Sequence, residues 1–127
     1  MIKAIEANQI TKLFETRRAV DSISFTVTTG ETFGILGSNG AGKSTTMRMI
    51  ACLSPLSDGK LLVDGLDVTI EDKKIRSLIG VVPQENNLDP DLNVLENLLV
   101  YSTYFRIPNH EARNRADELL RFIKLEK

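Results

Sequence analysis

The run Gly37-Ser38-Asn39-Gly40-Ala41-Gly42-Lys43-Ser44 constrains this chain more than any other. It fits G-x-x-x-x-G-K-[ST], a loop that leads from a strand into a helix. Glycines let such a loop curl, because most side chains would clash or forbid the dihedrals. The curled backbone turns several N–H groups toward one point, and the helix N-terminus adds its dipole. That arrangement suits a phosphate. Lys43 is then placed for the β- and γ-phosphates, and the Ser44 hydroxyl for Mg²⁺. The flanks agree. Thr32-Phe33-Gly34-Ile35-Leu36 reads as a short apolar strand, and a helix is expected from about Gly42 to Cys52. A chance match in a chain of this length comes to roughly one in a few hundred. A dinucleotide fingerprint starting at Gly40-Ala41-Gly42 fails, because its third glycine position holds Thr45 and Lys43-Ser44 has no role in it.

Composition excludes several other classes. The chain has 127 residues, 42% hydrophobic and 26% charged, which fits one modest globular domain rather than a disordered tail. Its formal net charge of -1 lacks the basic excess of a nucleic-acid binder. No apolar run approaches the roughly 18 residues of a membrane span. Met1 to Glu6 mixes apolar and charged residues, unlike a signal peptide. Cys52 is the single cysteine, so no internal disulfide forms and a reducing compartment is expected.

Ile2 to Asn8 is weakly strand-like, and Ser22 to Thr28 is a cleaner period-two strand with Ile23, Phe25 and Val27 on one face. Lys60 to Val63 reads as a strand and Asp64-Gly65 as a hairpin turn. Thr69 with Asp72 suggests a capping box for a short helix up to about Leu78. Ile79-Gly80-Val81-Val82 reads as an apolar strand stopped by Pro83. Asn93 with Glu96 marks another helix start. Pro108 breaks that helix, and Asn109 is a good N-cap for a last one carrying Ala112, Ala116, Leu119, Leu120 and Ile123 on one face. Core packing is the expectation for Met47, Met49, Ile50 and Cys52, and solvated faces for the Lys73-Lys74-Arg76 and Arg113-Arg115 clusters. Leu95, Leu98, Leu99, Tyr101 and Phe105 are expected to pack within the helical part, with a partner-binding groove as the alternative.

From Gly37 to Thr45 the loop resembles that of the ATP-binding subunits of ABC transporters, with Ser38 where the family usually has proline. Ala19 to Phe25 is similar to the family's strand before the loop, and Gly80-Val81-Val82-Pro83-Gln84 to its Q-loop. Leu88 and Leu92 to Leu98 resemble the start of its helical subdomain, with Asn93 where threonine is common. The wording around Gln84 is closest to the drug- and antibiotic-exporter branch (daunorubicin-resistance type).

The resemblance covers nearly the whole chain. It implies an α/β P-loop NTPase fold of the ABC ATPase type, present in part. An antiparallel β subdomain and part of a parallel-sheet core would occupy about 1–85, and the start of the helical subdomain about 86–127. It implies ATP and Mg²⁺ as cofactors, with Ser38, Asn39, Gly40, Ala41, Gly42, Lys43, Ser44 and Thr45 around the phosphates. Phe14 would stack on adenine with Val20 beside it. Ser44 and Gln84 would serve the metal.

Hydrolysis in the family also needs an apolar run ending Asp-Glu, a Leu-Ser-Gly-Gly-Gln signature and a switch histidine. Leu61-Leu62-Val63-Asp64 is followed by Gly65 and reads as a turn; no signature appears; His110, the sole histidine, falls in the first turn of the last helix. The resemblance therefore reaches only the N-terminal portion of such a domain, and this stretch alone is expected to lack steady-state ATPase activity, with no catalytic residue of its own. Implied partners are a membrane-spanning transporter subunit and a second ATP-binding domain or copy, and no nucleic acid. The implied location is cytoplasmic, at the inner face of the cell membrane. Unpaired strand edges would favour self-association. Two other readings stay open: a soluble ABC-type ATPase of translation or repair, and a naturally short, non-catalytic nucleotide-binding or interaction fragment.

Overall fold

Strand pairing begins with a long hairpin that the broken alternation of the N-terminus conceals. In the computed structural model, which describes residues 2–125, β1 (Lys3–Phe14) pairs antiparallel with β2 (Arg17–Thr28). Register shifts interrupt the ladder between Ala7 and Ile10 and again between Ile10 and Lys12, and Gln9 and Ser22 take positive φ. Each shift re-aims the side chains that follow it. As a result Ile10, Thr11 and Lys12 are buried in succession, which a regular period of two forbids.

β3 (Asp58–Val63) pairs with the other edge of β1, and β4 (Leu66–Asp67) with β3, giving the antiparallel order β2-β1-β3-β4. Asp64 and Gly65 both carry positive φ in the connecting turn, as a two-residue hairpin of this twist requires. Helix α1 (Lys43–Ile50) follows the glycine loop, and α2 (Asp72–Leu78) follows β4. Ala7, Ile10, Val20, Met49, Ile50, Leu61 and Ile75 form the core of this first unit, which ends at Val81. Ile10, Met49, Leu61 and Ile75 are fully buried, each worth about 1.5–3 kcal/mol.

Cys52 packs against this core in a left-handed conformation. Burial raises its thiol pKa, Arg76 opposes the shift and Asp72 adds to it.

Residues 32–36 and 79–82 are not strands. A strand exists only as half of a ladder, and among the described residues none lies beside either segment. Thr69 is not a cap: its hydroxyl and N–H both donate to Asp67 Oδ1, and Glu71 precedes α2 without a side-chain cap. The nearer carboxylate captured the threonine.

The second unit begins at Val82 and holds α3 (Val94–Tyr104) and α4 (Asn109–Phe122), which pack on each other. Asn93 and Glu96 form the expected reciprocal capping box. Asn109 is not the N-cap of α4. That position belongs to Pro108, and Asn109 is already helical. Proline fixes its own φ and leaves no N–H to satisfy at the helix mouth. Ala112 and Ala116 are buried on α4, whereas Leu119 and Ile123 are more than half exposed. Asn97 organises this unit. Its Nδ2 donates to the carbonyls of Asp89, Leu92 and Asn93, and its Oδ1 accepts from the Asp89 N–H at 2.9 Å.

Candidate phosphate-binding site

The loop is shaped by contacts that tolerate no side chain. Gly40 and Gly42 lie at φ 84° and 89°, a region that L-residues enter at a cost. A Cβ on Gly42 would stand 2.2 Å from the Ala19 carbonyl oxygen and 3.1 Å from Val20 Cγ2. Strand β2 therefore runs directly against the loop, and Val20 beneath it is 4% exposed. Thr46, buried one turn into α1, donates to the Gly42 carbonyl through both its N–H and its hydroxyl.

No side chain caps the N-terminus of α1. Its first N–H groups, with the positive end of the helix dipole, face the loop. Lys43 adds a full charge there. Its ammonium donates to the carbonyls of Gly37 at 2.6 Å and Ser38 at 2.7 Å. An ammonium has three donors, so one remains for an anion, and the side chain is already turned back over the loop. Ser38, Asn39, Gly40, Ala41 and Ser44 are exposed, while Thr45 is half-buried. The donor set fits a phosphate, and the open Ser44 hydroxyl fits a metal ion bound to that phosphate. Among the described residues no cluster of three or more His, Cys, Asp or Glu could hold a metal by itself.

Phe14 ends β1 and faces Arg17 across a two-residue turn in which Glu15 has φ 50°. Half of Phe14 is exposed. Lys12, buried to 7% exposure, places its Nζ 5.0 Å from the Phe14 ring centroid and donates to the Pro55 carbonyl at 2.7 Å. Ser57 accepts from the Leu13 N–H and donates its own N–H to Thr11. These bonds tie the end of β1 to the segment after α1. Phe14, Val20 and the loop thus belong to one folded unit. Gln84 lies in the second unit, exposed in the segment before α3. Asp64 sits in the β3–β4 turn and His110 is exposed on α4, in keeping with their plain readings. Arg17 also lies near the loop, its Nη2 3.7 Å from where a Cβ on Gly40 would stand; that proximity depends on the hairpin register, which no local motif encodes.

The profile of a family described as ABC transporter matches residues 20–127. The chain is 42% identical over 125 residues to the Nod factor export ATP-binding protein I of Burkholderia thailandensis, covering 98% of this chain and 41% of that protein. It is 45% identical over 123 residues to the Rhizobium meliloti protein of the same name, covering 97% and 37%. It therefore spans about two fifths of the length of these relatives. Among solved structures it is similar to a dimeric ATP-binding cassette in a post-hydrolysis state bound to ADP and Pi, with TM-score 0.79 and 27% identity over 97% of this chain and 58% of that one. It is also similar to a Clostridium perfringens protein that is part of an ABC transporter complex, with TM-score 0.79 and 25% identity over 95% of this chain and 50% of that one. An α/β P-loop domain, present in part, is the fold these neighbours share with it.

Proposed function

Because the chain belongs to the ABC transporter family, we propose that it supplies the nucleotide-binding part of an ATP-driven exporter. The observation that carries the proposal is the Lys43 ammonium folded over a glycine loop at the uncapped mouth of α1. The phosphates of ATP lie against the N–H groups from Asn39 to Thr45, with Ser38 and Gly40 to Gly42 forming the curve. Lys43 balances their charge. The Ser44 hydroxyl would hold Mg²⁺, which would supply the remaining positive charge, and family resemblance alone assigns Gln84 to the metal. Adenine stacks on the open face of Phe14, an aromatic surface suited to a purine. Val20 supports the loop from beneath and borders that base.

The relatives' names, which specify export and ATP binding, favour a transporter over a soluble ATPase of translation or repair. On this reading the whole protein works beside a membrane-spanning subunit and a second ATP-binding domain, at the inner face of the membrane. Residues to about 85 serve as the β subdomain and phosphate-loop core, and those beyond as the start of the helical subdomain. Among the described residues no helix is long and apolar enough to cross a membrane. Photolabelling with 8-azido-ATP tests the proposal. The peptide containing Phe14 should be marked, and unlabelled ATP should compete. Labelling that ATP does not displace, or that falls elsewhere, would refute the site.

A further inference from the structure

Arg17 opens β2 opposite Phe14 and reaches the rim of the glycine loop. The position a Cβ would take on Gly40 lies 3.7 Å from Arg17 Nη2. The adjacent Arg18 is engaged by Asp21 at 2.7 Å. Among the described residues the Arg17 guanidinium has no hydrogen-bond or ion-pair partner. The loop from Gly37 to Thr45 contains no acidic residue that could claim it. An exposed arginine normally drifts in solvent. This one starts from a paired strand end whose backbone is fixed by the hairpin, so its reach is limited to the neighbourhood of the loop.

We propose that Arg17 is an additional ligand for the phosphate chain of a nucleoside di- or triphosphate, acting beside Lys43. The inference rests on the reading of the loop as a nucleotide site. A guanidinium presents a planar fork of donors that matches two phosphate oxygens, and it stays charged at any working pH. One tight turn then carries both ends of the ligand's recognition, with Phe14 for the base and Arg17 for the phosphates. The contribution of Arg17 grows with the number of phosphates and is screened by salt.

Titration calorimetry at low salt with ATP, ADP and AMP tests this on the wild-type chain and on Arg17→Gln, Arg17→Lys and Lys43→Ala. Arg17→Gln keeps most of the stem and should leave the thermal midpoint unchanged. It should weaken ATP about tenfold, the lower end for a hydrogen bond to a charged group, with a smaller loss for ADP and almost none for AMP. Arg17→Lys should recover part of the loss, and raised salt should narrow the gap between variant and wild type. If Lys43→Ala loses ATP while Arg17→Gln binds it as wild type does, the role of Arg17 is overturned and the loop reading stands. An equal loss for ATP and AMP also overturns it. If Lys43→Ala binds ATP normally, the loop reading fails first and the inference falls with it.

Discussion

Gly40 and Gly42 offer a matched pair of perturbations, because their backbones are alike and their surroundings are not. Both take φ near the left-handed region, 84° and 89°. Alanine at either position therefore carries a backbone cost of about 1–2 kcal/mol. At Gly40 that is the whole expected cost, since the new methyl meets only the Arg17 guanidinium at 3.7 Å. At Gly42 the methyl would stand 2.2 Å from the Ala19 carbonyl oxygen, well inside contact distance. The obstacle is strand backbone, and the next residue, Val20, is locked in the core at 4% exposure. Forcing β2 aside adds an overpacking cost of about 1–3 kcal/mol. Gly42→Ala should thus be less stable than Gly40→Ala by about 1–3 kcal/mol, or roughly 4 °C in midpoint per kcal/mol for a domain of this size. Thermal and urea unfolding followed by circular dichroism measure both. Equal stabilities would show that β2 does not press on the loop as described.

Asn97→Ala removes a side chain that satisfies one N–H and three carbonyls around the start of α3. It should cost about 1–3 kcal/mol in urea unfolding, and an unchanged midpoint would contradict its role as organiser. Lys12→Met keeps the buried stem but withdraws the charge from the Phe14 ring and the Pro55 carbonyl. Affinity for ATP should fall about threefold to tenfold by calorimetry, with tripolyphosphate unaffected, if the cation–π contact orients the ring. The Asp67 carboxyl lies below its ordinary pKa, chiefly through the Thr69 hydroxyl and next through the Thr69 N–H. A carboxyl depressed by folding stabilises the fold at neutral pH, and that contribution is lost as pH falls through the depressed value. Thr69→Ala should raise the Asp67 midpoint in an NMR titration; an unmoved midpoint would remove the hydroxyl as the cause.

What the sequence discloses follows the range of the interactions involved. The glycine loop, the Asp64-Gly65 turn and the Asn93/Glu96 capping box are each settled within a few residues, and all three are legible. Residues 32–36 and 79–82 have strand-like composition, yet strand formation depends on a neighbour and composition cannot supply one. The hairpin from Lys3 to Thr28 is longer than its alternation suggests, because register shifts at Ile10 break the period. Those shifts also bury Lys12 and bring it under Phe14. Thr69 and Asn109 fail as caps because a nearer partner or a preceding proline decides the geometry. Of the candidate residues, those of the phosphate loop are visible as a motif. Phe14 and Gln84 are named only through family resemblance, and Arg17 only through the hairpin register.

The central claim is that Lys43 and its loop bind the phosphates of ATP. Calorimetric titration of MgATP into the wild-type chain and Lys43→Ala, with matched unfolding curves as a control, measures it most directly. The account predicts a saturable heat for the wild type that vanishes in Lys43→Ala while the fold persists, because the ammonium is the full positive charge that hydrogen-bonds into the loop. Equal affinity in the two proteins would contradict it and leave the glycine loop as a structural turn.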